Sequence, residues 1–148
     1  MRVAILMGSD KDMPKMQAGA DVLAEFGVDH DVHVMSAHRT PERVAAFATG
    51  ARAAGYGAII CGAGKAAHLA GAVAAHSTLP VIGVPIAAGG MGGLDALLST
   101  VQMPTGIPVA TVAVDSAANA AYLAVAVLAA TDTGLAAKLD SYREGLKG

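Results

Sequence analysis

The sequence predicts an α/β fold in which a parallel sheet lies between helices on both faces. Two observations carry that expectation. Five short apolar runs alternate with helical stretches along the 148 residues. Each run ends in small, polar or proline residues, the punctuation of strands that stop at a common edge. The length suits one domain, residues 1–148, with a sizeable core. No linker, internal repeat or low-complexity block divides it.

The first run, Val3–Met7, reads as a buried strand. The opening MRVAILMGSD also resembles a very short signal sequence, but it meets a Gly8-Ser9-Asp10 turn too soon. A helix is expected over Met13–Phe26, where Met16, Ala20, Leu23 and Ala24 recur at helical spacing. Asp12 reads as its N-cap, with Pro14 near the first helical position. The second strand, Val32–Met35, ends in Ser36-Ala37-His38 and precedes a helix over Pro41–Ala54, with Thr40 as its expected cap. The third, Ala58–Cys61, ends in Gly62-Ala63-Gly64 before a helix over Ala66–Ala75. The fourth, Val81–Val84, stops at Pro85. Ile86–Gly93, with four glycines and Met91, is either a loop that closes over a ligand or a plain connection to a helix over Leu94–Val101. The fifth strand, Val109–Val114, ends at Asp115-Ser116 and is followed by a helix over Ala117–Ala130. A last helix, about Thr133–Leu146, has no strand after it and packs on the domain or reaches a neighbour.

Composition narrows the function classes. The chain is 54% hydrophobic and only 15% charged, which suggests that some surface is buried in an oligomer. A net charge of -2, scattered Lys and Arg, two Phe, three Tyr and no Trp give no case for nucleic acid. No apolar run reaches the roughly 18 residues of a membrane span. The single Cys61 excludes an internal disulfide, fits a reducing cytoplasm and reads as inert core. His30, His33 and His76 show no metal-ligand spacing.

Ligands of such sheets bind at the carboxyl edge of the strands, so the strand-end loops carry the chemistry. In Ser36-Ala37-His38-Arg39-Thr40, His38 exchanges a proton near neutral pH, and Arg39 offers a fork of donors to a phosphate. Gly8-Ser9-Asp10-Lys11-Asp12 is either a capped turn or a phosphate site, with Ser9 and Lys11 as donors and Asp12 facing ribose hydroxyls. Its glycines fit neither a Walker A loop nor a dinucleotide fingerprint. In Cys61–Gly71 two glycines allow close approach of a small planar ligand. His68 falls about one turn into the next helix, as a packed group or a catalyst. Together the loops suit proton transfer on a small phosphorylated, carboxylated molecule.

The strings MGSDKD, SAHRTP, GAGKAAHLAG, LPVIGVP, GLDALLSTVQMPTGIPVATVAV and AANAA span Val3 to about Tyr142. On them the chain resembles the N5-carboxyaminoimidazole ribonucleotide mutases of purine biosynthesis, the PurE family. SAHRTP and AAHL are closer to the bacterial mutase class than to the class that carboxylates aminoimidazole ribonucleotide directly, which usually has Lys at position 39 and lacks the AAHL histidine. The resemblance implies a three-layer α/β/α, flavodoxin-like fold in a cytoplasmic homo-octamer. Its final helix would pack on a neighbouring subunit. No metal or organic cofactor is expected. A carboxylate would move from the exocyclic amine to a ring carbon by decarboxylation and recarboxylation, with His38 as general acid and base. Ser9, Asp12, Ser36 and Arg39 would hold phosphate and ribose. The backbone of Ala63, Gly64 and Lys65 would frame the carboxylate pocket, and His68 would line it. Ala87–Met91 would be the mobile loop.

Three departures concern the ligand. Lys11 replaces a usual Ser, Lys65 replaces a usual Gly, and the Asp115-Ser116 loop is about two residues shorter than the usual form. Two other readings remain on the sequence: direct carboxylation of a ribonucleotide, and a non-catalytic nucleotide-binding module on the same fold.

Overall fold

Val3, Ile5 and Met7 point into one core and Ala4 and Leu6 into another, and all five are buried. A strand covered on both faces has to be apolar at every position, which is why this run does not alternate. The computed structural model, which describes residues 1–148, places it in β1 (Arg2–Met7), an interior strand of a five-stranded sheet. The other strands are β2 (His30–Val34), β3 (Tyr56–Gly64), β4 (Val81–Ile86) and β5 (Ala110–Thr111). The order is β2-β1-β3-β4-β5 and every pairing is parallel. Chain order reverses between β1 and β3, so a crevice opens there at the carboxyl edge.

Helices α1 (Met13–Phe26) and α5 (Ala117–Ala129) close one face, through Met16, Leu23, Ala121 and Val125. On the other face lie α2 (Pro41–Gly50), α3 (Leu69–His76) and α4 (Leu94–Val101). These are the three layers of a flavodoxin-like fold. α6 (Thr133–Gly145) lays its inner face on its own chain: Leu139 is buried, Tyr142 stacks on Tyr122, and Lys138 donates to the Phe26 carbonyl at 2.9 Å. No helix is long and apolar enough to cross a membrane.

The differences from expectation fall where one side of an element lacks a partner. β2 lies at the sheet edge with no buried residue and starts two positions earlier than its apolar run. β5, on the opposite edge, shrinks to Ala110–Thr111. β3 and β4 run longer, because Ala63 pairs with Pro85 and Gly64 with Ile86. Pro85 is therefore inside the strand rather than its stop. Its carbonyl accepts from Asp115 N–H at 2.8 Å, so its missing N–H faces the side where the β5 ladder has already ended. α2 ends at Gly50 and α3 begins at Leu69, each shorter than its sequence pattern.

Candidate active site

The carboxyl edge gathers a cleft of about 560 Å3. Ser9, Lys11, Asp12, Ser36, His38, Arg39, Ala63, Gly64, Lys65 and His68 all line it. Its size falls within the range of small-molecule sites. A larger hollow of about 890 Å3 lies at the opposite edge, between the ends of α2 and α3 and Ile107. Its Arg52 is committed to the Thr78 carbonyl and hydroxyl, so it presents no convergent acid–base set.

The loop after β1 is held by Ser9, whose hydroxyl accepts from Lys11 N–H at 3.3 Å and donates to Asp10 at 3.2 Å. Asp10–Asp12 form a short 3-10 turn. Asp12 stands before α1 but makes no side-chain cap bond, contrary to the sequence expectation. Its backbone is already helical, and its carboxylate faces the cleft instead. Burial raises its pKa above the usual value, against the pull of Lys15 and a backbone hydrogen bond at Ser9.

The Ser36–Thr40 segment is a closed turn. Ser36 Oγ accepts from the N–H groups of His38 (3.3 Å) and Arg39 (3.2 Å). Thr40 occupies the N-cap position of α2 without capping it. Its hydroxyl turns back, accepting from Ser36 N–H at 3.1 Å and donating to the Ser36 carbonyl at 3.0 Å. The turn aims His38 and Arg39 into the cleft. Arg39 also donates to the Gly8 carbonyl at 2.7 Å, tying the second loop to the first.

The third loop leaves β3 through Gly64 and turns at Lys65, whose φ of 54° is left-handed. That turn delays α3, so His68 sits at its N-cap position rather than one turn inside. His68 Nδ1 lies 2.6 Å from His38 Nε2, with the rings edge to face. At that distance one ring nitrogen donates a hydrogen bond to the other. Gly64 packs so closely that a Cβ there would lie 2.6 Å from that of Ala88. Cys61, just below, is buried, and burial pushes its thiol well above its ordinary pKa, as expected of core.

Sequence reading missed three supports. Ser99 on α4 accepts from Ala67 N–H at 3.0 Å and donates to backbone carbonyls, including that of Lys65 at 3.3 Å. Lys15 and Asp115 form an ion pair at 2.8 Å beside Ala87. Burial would raise the Asp115 pKa, but the Lys15 ammonium and the Ala87 N–H outweigh it and hold it below the usual carboxylate value. His30, His33 and His76 lie away from the cleft, His30 and His76 against backbone carbonyls and His33 beside Tyr56. The cleft thus joins a hydrogen-bonded histidine pair to three cationic side chains and one carboxylate, a set that suits a phosphorylated, acidic ligand.

Known proteins share this arrangement of chain. The N5-carboxyaminoimidazole ribonucleotide mutase of Thermotoga maritima is 49% identical over 146 residues, covering 99% of this chain and 85% of that protein. The chloroplastic phosphoribosylaminoimidazole carboxylase of Vigna aconitifolia is 50% identical over 145 residues, covering 98% of this chain and 26% of that longer protein. The crystal structure of Treponema denticola PurE superposes with a TM-score of 0.89 at 32% identity, covering 98% of this chain and 90% of that one. A family model described as AIR carboxylase matches residues 2–148, and on these grounds the chain belongs to the AIR carboxylase family.

Proposed function

We propose that this chain is an N5-carboxyaminoimidazole ribonucleotide mutase, an isomerase of purine biosynthesis. The observation that carries the reading is the His38–His68 pair, 2.6 Å apart, beside Arg39 in one cleft. The substrate's N–C carbamate bond breaks, its electron pair stays on nitrogen, and carbon dioxide is set free in the cleft. His38 gives the amine its proton. The ring carbon then attacks carbon dioxide, a C–C bond forms, and His38 takes the proton that this carbon sheds. The histidine ends as it began, and only the position of the carboxylate has changed. Protons and carbon dioxide are all that move, so the chemistry requires no metal or organic cofactor.

His68 holds the His38 ring and lines the pocket for carbon dioxide. Arg39, Ser9, Ser36 and Asp12 take the phosphate and ribose, with Lys11 as an added cation. Ala63, Gly64 and Lys65 frame the carboxylate. Retention of carbon dioxide requires a site closed to water, a task that suits the Ile86–Gly93 loop. We further propose a cytoplasmic homo-octamer, with the outer face of α6 against a neighbour. The exposed Leu94, Leu98 and Val101 on α4 support an assembly.

His38→Asn is expected to lower turnover by at least about 10²–10⁴-fold with an unchanged circular dichroism spectrum. Retained turnover of the carbamate would remove the mechanism. The carboxylase name of the Vigna relative keeps direct carboxylation as a second reading. Bicarbonate with the decarboxylated ribonucleotide, and no carbamate, separates the two: efficient product formation favours the carboxylase.

A further inference from the structure

Two strand-end loops, after β4 and after β5, meet at one ammonium from α1. Lys15, in the first turn of α1, donates to the Ala87 carbonyl at 2.7 Å and to the Asp115 carboxylate at 2.8 Å. The other Asp115 oxygen accepts from Ala87 N–H at 2.9 Å. Both backbone polar groups of Ala87 are therefore held by side chains, one from α1 and one from the connection between β5 and α5. Ala87 is the first residue beyond β4, at the root of the glycine-rich loop. Its neighbour Ala88 lines the cleft and packs on Gly64.

Past Ala88 the loop changes character. A Cβ at Gly90 or Gly92 would meet nothing within 4 Å, whereas one at Gly64 would strike Ala88. The root is fastened, and nothing packs against the tip at Gly90 and Gly92. Asp115 adopts a left-handed φ of 58°, an uncommon conformation for a residue with a side chain. Such strain persists where the surroundings over-determine it, and here it aims the carboxylate at Ala87.

We propose that Lys15 and Asp115 are positioning residues that clamp Ala87, so that the loop pivots beyond Ala88 and keeps the carbon dioxide end of the cleft closed. The clamp stands on the hydrogen bonds alone. Its part in carbon dioxide retention rests on the mutase reading above. A pair that served only global stability would shift the melting temperature without a local signature, so the test reads the loop and the products separately.

Hydrogen exchange on the full chain reads the clamp without substrate. In Lys15→Met the amide of Ala87, held by Asp115, is expected to exchange roughly tenfold faster, with the central strands unchanged. Asp115→Asn, which tolerates the left-handed turn, is expected to do the same more weakly, and Lys15→Arg to keep exchange slow. With the carbamate as substrate, Lys15→Met should release several-fold more decarboxylated ribonucleotide per isomerised product, with KM little changed, and Lys15→Arg should restore the ratio. Unchanged exchange at Ala87 in Lys15→Met would overturn the clamp. Faster exchange with an unchanged product ratio would overturn its role in retention. A wild-type protein that does not isomerise the carbamate sinks the mutase reading and with it the retention role, and the exchange result still decides the clamp.

Discussion

Lys65 pays a conformational penalty at the mouth of the cleft. Its φ of 54° is a conformation that glycine takes freely, and the resembling mutases usually carry glycine there. The stem then runs beside the glycine-rich loop, with Cε 3.7 Å from the position of a Cβ on Gly89. A strained residue at a ligand site suggests that its ammonium meets the ligand. Lys65→Gly separates strain from function. Relief of the left-handed cost of about 1–2 kcal/mol, less about 0.4–1 kcal/mol for a more flexible unfolded chain, leaves a gain centred at about 0.8 kcal/mol, within about 0–1.6 kcal/mol. Urea unfolding should show that gain, while KM for the carbamate rises. A less stable variant would refute the strain, and an unchanged KM would refute contact with the ligand. His38 and Arg39 were legible because a proton-transfer group beside a fixed cation at a strand end is a local pattern. The Lys15–Asp115 pairing was not, because it spans 100 positions; the short loop at Asp115 stood out, but nothing local named its partner. Asp12 and Thr40 misled for a related reason: a hydroxyl or carboxylate before a helix has several backbone or ligand partners to choose from, and sequence does not rank them.

At the scale of elements, legibility followed burial. β1 and β4 are covered on both faces, so their apolar runs mark them and the start of each could be placed to within a residue. β2 and β5 are edges, where one flank meets solvent and the apolar signal no longer tracks the ladder. The start of α3 escaped because one left-handed residue, Lys65, holds the chain out of the helix. How α4 approaches the sheet was also invisible, although a glycine makes it possible. A Cβ at Gly83 would lie 2.4 Å from Thr100 Cγ2 and 2.9 Å from Val109 Cγ1. Thr100 is buried and its hydroxyl donates to the Ala96 carbonyl at 2.7 Å, so it has little room to turn away. Gly83→Ala should therefore destabilise by about 1–3 kcal/mol despite the better strand propensity of alanine. Because α4 also carries Ser99, which supports Ala67 and Lys65, the same variant should lose activity at temperatures where it is still folded. Equal stability with wild type by denaturant titration would mean that α4 is free to shift.

The whole molecule has a face that its own chain leaves uncovered. Leu94, Leu98 and Val101 fall at helical spacing along α4 and are 50%, 50% and 45% exposed, and Met91 just before them is 60% exposed. α4 begins where the glycine-rich loop ends, and its Ser99 supports the third loop of the cleft from behind. A subunit seated on this stripe would bury apolar surface and limit the motion of the loop in the same act. This links the proposed assembly to the proposed chemistry: the retention of carbon dioxide would depend on association. Leu98→Asp tests the link, because a carboxylate buried at an apolar contact without a partner costs several kcal/mol. Sedimentation is expected to show smaller species whose circular dichroism matches wild type. Turnover per chain should fall, and decarboxylated product should gain on isomerised product as the protein is diluted. An unchanged mass would place the subunit contact elsewhere, whereas a smaller species with undiminished turnover would show that each chain closes its own cleft.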